Sequence, residues 1–161
     1  MKDRVLKFVA AIALAIGMFG LCDSARAQAT NAPLAAGTIP TAQLIEPEAL
    51  SKLLNTSGAG KPLILQVGSK VMFDQARIPG SEYVGPDSRE DGLNLLRERV
   101  KTLPKNSFIV LYCGCCPWGR CPNVGNAFKA MQDLGFTNVK VLYIAENFGT
   151  DWVSKGYPVA H

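Results

Sequence analysis

The chain has 161 residues, of which 48% are hydrophobic and 19% are charged, and its formal net charge is +4. This length suits one domain with a real hydrophobic core. The charge is modest, and no stretch of the chain is a basic run or interleaves basic with aromatic residues, so we expect no nucleic-acid partner.

The first 27 residues have the pattern of a secretory signal peptide. Three basic residues near the start precede an uncharged stretch, 8–21, and a small-x-small cleavage signal ends at Ala27. A run of 14 uncharged residues is short for a membrane span. A lipoprotein anchor at Cys22 is the rival interpretation, which Leu21 disfavours because such signals have a small residue there. We expect cleavage after Ala27, a periplasmic or secreted protein, and no membrane attachment afterwards.

Cleavage after Ala27 would leave a mature chain of 134 residues. The leader carries four basic and two acidic residues, so the mature protein would have a net charge of only +2. Residues 28–41 are small and polar and include prolines, which predicts a flexible, exposed linker behind the cleavage site. We therefore expect the folded domain to span residues 42–161.

Apolar, strand-like runs alternate with helix-like segments through this domain. We predict short strands at 42–45, 63–67, 82–84, 108–112 and 139–143. We predict helices at 47–54, 90–103, 122–134 and 148–155. Glycine and proline residues separate these segments. Such alternation predicts an α/β domain with a mainly parallel central sheet flanked by helices.

A cysteine-rich loop lies between the strand at 108–112 and the helix that follows it. Nine positions contain four thiols, Cys113, Cys115, Cys116 and Cys121. Ligands of open parallel sheets bind beyond the carboxyl ends of the strands, which is where Cys113 stands. Export implies an oxidising compartment, but cysteines so close in sequence cannot join distant parts of a chain. Their spacing therefore favours reactivity or metal binding over a structural disulfide.

The loop has several features that would stabilise a thiolate. Arg120 supplies a permanent positive charge, and the start of the next helix would make Cys121 its cap residue. Backbone N–H groups at that helix start attract anions, and Gly114 and Gly119 allow the backbone to form an N–H cradle. The single histidine, His161, is the last residue, so we do not expect a Cys–His pair.

The three further cysteines of the loop have three interpretations. Cys115, Cys116 or Cys121 could act as a resolving thiol that attacks a persulfide or sulfenate on Cys113. Together the four thiols could bind Cu(I) or Zn²⁺. A disulfide from Cys121 to Cys115 or Cys116 could instead stiffen the loop, whereas the adjacent pair is poorly placed to bond to each other. Trp118 would either line the pocket or lie exposed.

The order of these segments resembles the rhodanese-like domain over nearly all of the mature chain. The residues that carry the resemblance are Leu63 to Val67, Ile78-Pro79-Gly80-Ser81, Leu103-Pro104, Ile109-Val110-Leu111-Tyr112-Cys113, Gly135-Phe136-Thr137-Asn138-Val139, and Trp152 with Gly156-Tyr157-Pro158-Val159. The resemblance implies transfer of sulfane sulfur from a thiosulfate-like donor, through a persulfide, to a thiol or other thiophilic acceptor. It implies that Cys113 is the catalytic nucleophile and that Arg120 helps to hold the anionic donor. The predicted donor-binding residues are Gly114, Cys115, Cys116, Trp118, Gly119 and Arg120.

The chain departs from the usual rhodanese pattern at two places near the predicted site. The usual active-site loop is Cys-x4-Arg, whereas the stretch from Cys113 to Arg120 is two residues longer and contains two extra cysteines. The usual Asp-x-Arg after the early strand is replaced by Gln66-Val67-Gly68. The loop sequence YCGCCPWGRCPN therefore indicates a divergent, exported subgroup. We predict a sulfurtransferase without a cofactor, with a non-catalytic thiol- or Cu(I)-binding module or a thiol–disulfide exchange protein as the alternatives.

Overall fold

The computed structural model describes residues 35–56 and 60–161. The predicted signal peptide and residues 28–34 of the predicted linker lie outside the described residues. None of the described helices is long and apolar enough to cross a membrane. In chain order the helices and strands are β1 (Leu44–Ile45), α1 (Pro47–Leu54), β2 (Leu63–Gln66), α2 (Lys70–Gln75), β3 (Glu82–Tyr83), α3 (Glu90–Val100), β4 (Ile109–Tyr112), α4 (Pro122–Asp133), β5 (Val139–Leu142) and α5 (Phe148–Asp151).

The five strands of the described residues form one sheet in the order β1-β5-β4-β2-β3. Every neighbouring pair is parallel, and the central strand, β4, pairs with β2 from Ile109 to Tyr112. Parallel neighbours require crossover connections, which α1 to α4 supply. The prediction of an α/β domain with a mainly parallel sheet and flanking helices is confirmed.

Side chains of β4 alternate between two hydrophobic layers, one on each face of the sheet. Ile109 and Leu111 pack into the layer formed with α3 and α4, whereas Val110 and Tyr112 pack into the layer formed with α1 and α5. Successive side chains of a strand point to opposite faces. Cys113 continues this alternation and lies buried in the α4 layer. The direction of its thiol therefore follows from the register of the strand before it.

Three segments differ from the helices that the sequence predicts. The helix predicted at 90–103 ends at Val100, because a proline at position 104 disfavours helical geometry in the residue before it. The helix predicted at 148–155 is divided into α5 and a 3-10 turn, Val153–Lys155, that ends at the left-handed Gly156. Helix α2 was not predicted, since its six residues are too few to show a clear 3.6-residue period.

The described part of the predicted linker packs on the domain. Ala36 is 0% exposed and Ile39 is 6% exposed, and both belong to the hydrophobic layer that contains α4. Residues Ala36–Thr38 form a 3-10 turn that contacts α4. The expectation of an exposed linker is wrong for Ala36 and Ile39, whose apolar side chains gain free energy from burial, whereas the other residues of 35–41 are exposed. The packed domain therefore includes residues before position 42.

Candidate functional site

The cysteine-rich loop crosses the carboxyl edge of the sheet from β4 to α4. Cys113 directly follows β4, and α4 begins with a proline after Cys121, which is the predicted cap residue. The exposed fractions of these two cysteines are 4% and 3%, whereas Cys115 and Cys116 are only partly buried. The loop thus has two buried thiols at its ends and two more accessible thiols between them.

Three of the four thiols converge on one point. The Sγ atoms of Cys113 and Cys115 are 2.9 Å apart, and those of Cys115 and Cys116 are 3.5 Å apart. The Sγ atoms of Cys113, Cys115 and Cys121 all lie within 4.8 Å of one another, and Cys116 is not part of this group. All four thiols are free. We call Cys113, Cys115 and Cys121 the thiol cluster.

The side chain of Asn123 connects the thiol cluster to the loop before α3. Its Oδ1 accepts a hydrogen bond of 2.8 Å from the backbone N–H of Ser88. Its Nδ2 lies 3.4 Å from the sulfur of Cys113 and 3.7 Å from that of Cys115. Because the Ser88 N–H can only donate, the amide oxygen must face it, and the NH₂ group must face the two sulfurs. Asn123 is therefore a buried hydrogen-bond donor to the cluster.

The sequence alone places Asn123 only in the first turn of the predicted helix at 122–134. Its position after the first-turn proline of α4 was the only signal in the sequence, and it does not reveal the contact with Ser88. That contact depends on the approach of the 85–88 loop to the N-terminus of α4.

The hydrogen bond between Cys113 and Cys115 shifts the pKa values of the two thiols in opposite directions. The hydrogen bond from Cys113 lowers the pKa of Cys115 well below its usual range. The same hydrogen bond, with Cys115 as the acceptor, raises the pKa of Cys113. Burial raises the pKa of Cys116. The contact therefore favours a proton on Cys113 and negative charge on Cys115, with the two sulfurs at hydrogen-bond distance.

The unusual Gln66-Val67-Gly68 stretch forms one wall of the site. A Cβ atom at Gly68 would lie 2.5 Å from the Sγ of Cys113, so any side chain there would meet the thiol. Gln66 accepts a hydrogen bond of 3.2 Å from the Gly68 N–H and donates one of 3.3 Å to the Cys113 carbonyl. This departure from the usual Asp-x-Arg pattern is therefore what makes room for the buried thiol.

The other predicted site residues of the loop range from buried to exposed. Gly114 adopts a positive φ of 77° and its carbonyl accepts a hydrogen bond of 3.0 Å from the Phe148 N–H. Trp118 is partly buried, its ring packs edge-on against Tyr143 at 5.2 Å, and it contributes to the wall of the site. Gly119 and Arg120 are exposed. No hydrogen bond or ion pair from the Arg120 guanidinium to another described residue is present.

Among the described residues, a narrow crevice borders three of the loop thiols. Its volume is about 10 Å³, and its lining includes Cys113, Cys116, Trp118 and Cys121. A single water molecule needs about 10–15 Å³ of such space. A larger cleft of about 330 Å³ lies beside Tyr143, the residue on which Trp118 packs. The crevice is too small for a donor anion, so we expect sulfur loading of Cys113 to require a movement of its walls, of which Trp118 is one.

A family comparison agrees with this fold. The model of the rhodanese-like domain matches residues 46–143, which is more than half of the chain. The chain belongs to the rhodanese-like domain family. No curated protein matches its sequence.

Several solved structures share the fold at low sequence identity. The Alr3790 protein from Anabaena sp. is 19% identical with a TM-score of 0.54, and the match covers 72% of this chain and 90% of that one. The single-domain sulfurtransferase RDL2 from Saccharomyces cerevisiae is 16% identical with a TM-score of 0.52, covering 71% and 90%. A protein of unknown function from Rhodopseudomonas palustris is 19% identical with a TM-score of 0.53, covering 73% and 84%. These likenesses establish the fold.

Proposed function

We propose that this protein is an exported sulfurtransferase that carries sulfane sulfur as a persulfide on Cys113. The observation that carries the proposal is the position of this thiol. It directly follows the central strand, lies beside the N-terminus of α4, and has a second sulfur 2.9 Å away. Membership of the rhodanese-like family supports the same chemistry.

The reaction has two sulfur-transfer steps that balance. The sulfur of Cys113 attacks the sulfane sulfur of a thiosulfate-like donor while its proton passes to the neighbouring Cys115 sulfur. A new S–S bond forms, the bond between the two donor sulfurs breaks, and sulfite leaves with the electron pair. A thiolate or another thiophilic acceptor then attacks the terminal sulfur of the persulfide. The bond to Cys113 breaks, its sulfur takes the electron pair, and the proton returns to it from Cys115.

The single histidine is His161, so we expect neighbouring side chains of the loop to accept the proton of the nucleophile and to stabilise its negative charge. The sulfur of Cys115 is at hydrogen-bond distance from Cys113 and can accept its proton as the nucleophile attacks. The NH₂ group of Asn123 faces both sulfurs and stabilises negative charge on a thiolate or persulfide. Both contacts come from residues of this chain, so the proton acceptor and the charge-stabilising group lie beside Cys113.

The exposed part of the loop would receive the donor. Arg120 offers a mobile positive charge at the entrance, which suits capture of an anion. Gly114, Cys116, Trp118 and Gly119 would line the path that opens when the loop moves. The signal-peptide pattern of the first 27 residues supports action in the periplasm or outside the cell.

The first test is the intact mass of the reduced protein, lacking residues 1–27, before and after exposure to thiosulfate. We expect a gain of one sulfur atom that cyanide removes. The Cys113→Ser variant should not gain sulfur, because the remaining thiols do not directly follow β4. The Cys116→Ser variant is the matched control: it removes a thiol from the donor's path and can change the rate of loading, but it leaves Cys113 in place, so it should reach the same final mass gain.

Two results would overturn this assignment. Sulfur loading that persists in Cys113→Ser would move the persulfide to another thiol. Absence of loading in the unsubstituted protein would remove the sulfurtransferase function and leave the thiol–disulfide exchange alternative, which the 2.9 Å separation of two free thiols also favours.

A further inference from the structure

The geometry points to a Cu(I) site formed by the sulfurs of Cys113, Cys115 and Cys121. A second part of the inference rests on the proposed function: Cu(I) at this site blocks sulfur transfer, because it occupies the thiol that would carry the persulfide.

The three sulfurs are already close to the arrangement that one metal ion requires. Their Sγ atoms lie within 4.8 Å of one another. With metal–sulfur bonds of about 2.3 Å, three sulfurs around one ion in a plane would be roughly 4 Å apart. The 2.9 Å separation of Cys113 and Cys115 would have to widen by about 1 Å. Cys115 is the partly buried member of the cluster, so its side chain has the most freedom to make this change.

The number of donors favours Cu(I) over Zn²⁺. Thiolates bind both metals, but structural zinc takes four ligands and catalytic zinc adds water to three protein ligands. The thiol cluster has three sulfurs, and the fourth loop thiol, Cys116, lies outside it. The adjoining crevice of about 10 Å³ has room for at most about one water molecule. The site thus offers three soft ligands in a largely buried position.

A hydrogen-bond donor and a helix N-terminus beside the cluster would stabilise the negative charge of a Cu(I)–thiolate complex. The Asn123 NH₂ group faces the sulfurs of Cys113 and Cys115, and the Ser88 N–H holds it in that orientation. Hydrogen bonds of this kind position metal ligands and tune the metal. The N-terminus of the 12-residue helix α4, which Cys121 caps, offsets part of the negative charge. Thiols that are protonated before binding release their protons to the solvent.

The test is an anaerobic titration of the reduced protein, lacking residues 1–27, with Cu(I) against the chromogenic chelator bicinchoninate. We expect one Cu(I) per chain. Each of Cys113→Ser, Cys115→Ser and Cys121→Ser should weaken Cu(I) binding by more than about 100-fold, since loss of even an outer-shell partner costs about 10–100-fold. The matched control, Cys116→Ser, should retain the affinity within a few-fold. Circular dichroism checks that every variant is folded.

Two results would overturn the site. One is the absence of stoichiometric Cu(I) binding, and the other is an affinity loss in Cys116→Ser that equals the loss in Cys121→Ser. The titration needs no sulfur donor, so it succeeds or fails independently of sulfur transfer. Prior loading with one equivalent of Cu(I) should then abolish the thiosulfate-dependent mass gain. Undiminished loading of the copper-bound protein would refute the competition.

Discussion

The buried surroundings of the Asp87 carboxyl group favour its protonated, neutral form. It is 0% exposed, and neither carboxyl oxygen has a hydrogen-bond partner among the described residues. Its backbone, in contrast, is held: the N–H donates to the Val67 carbonyl and the carbonyl accepts from Asn126. Burial raises the pKa of Asp87 to about 8, against a weaker opposing effect of Arg97. The residue therefore keeps the 85–88 loop in place while its side chain makes stability depend on pH.

Replacement Asp87→Asn should raise stability at high pH and leave it nearly unchanged at low pH. An unfolded aspartate loses its proton near pH 4, whereas the folded protein keeps it up to about pH 8. Between these values the folded state binds the extra proton, so its stability falls as pH rises and levels off above pH 8. Asparagine cannot ionise, so the variant should gain roughly 4–6 kcal/mol over the parent at pH 9. Urea unfolding at pH 5, 7 and 9 measures the difference.

Asp91→Asn is the matched control for this effect. Asp91 is exposed, and its hydrogen bonds with Arg89 lower its pKa, so its replacement should give no gain in stability as pH rises. A stability difference between Asp87→Asn and the parent that is constant from pH 5 to pH 9 would contradict the raised pKa.

At the scale of elements, the ends of β2 and β4 together determine the position of the nucleophile. The two strands are paired up to Gln66 and Tyr112, and Gly68, two residues beyond the end of β2, lies against the Cys113 thiol. The glycine has no Cβ, and the thiol occupies the space that a Cβ would need. The usual family pattern, with arginine at this position, could not coexist with this placement of Cys113.

The replacement Gly68→Ala should therefore displace the Cys113 thiol without unfolding the domain. The new methyl group would lie 2.5 Å from Sγ, and overpacking of this kind costs about 1–3 kcal/mol. We expect the rate of sulfur loading from thiosulfate to fall at least about tenfold, equal to roughly 1.4 kcal/mol of barrier. Quenched-time mass spectrometry measures the loading rate, and urea unfolding measures the stability.

Gly37→Ala provides the comparison, because nothing lies within 4 Å of a Cβ at that position. It should leave the loading rate unchanged. If Gly68→Ala loads sulfur as fast as Gly37→Ala, the wall that Gly68 forms does not position the thiol.

For the whole molecule, the hydrophobic layer under α4 includes residues that lie before the first strand. Ile39 packs with Val124 and Phe128 in one buried cluster. Because its side chain is only 6% exposed, truncation Ile39→Ala should leave a cavity and lower the free energy of unfolding by about 2–4 kcal/mol. Chemical denaturation, with the slope compared between variants, measures the loss.

The exposed Leu95 is the matched control for Ile39. It is 51% exposed on α3, so Leu95→Ala should change the free energy of unfolding by no more than about 0.5 kcal/mol. Equal stability losses in the two variants would mean that residues 35–41 do not contribute to the core.

Much of the fold could be predicted because its determinants are local. Each signal lies within or next to the element that it specifies: an apolar run forms β4, a proline begins α4, and the positive φ of Gly135 follows the end of α4. The alternation of such segments then predicts a parallel sheet, and the cysteine loop must lie where β4 ends. Ile39 was assigned to a linker because nothing near it in sequence shows what it packs against.

The arrangement of the site was decided by contacts between parts of the chain that are far apart in sequence. The sequence by itself determined that four thiols share one loop beyond the central strand. Only the tertiary structure decided that Cys116 stands outside the cluster, that Ser88 orients Asn123 towards the sulfurs, and that Gly68 leaves room for Cys113. The physical reason is that these contacts depend on how closely separate strand ends and a helix N-terminus approach, and residue spacing carries no measure of that distance.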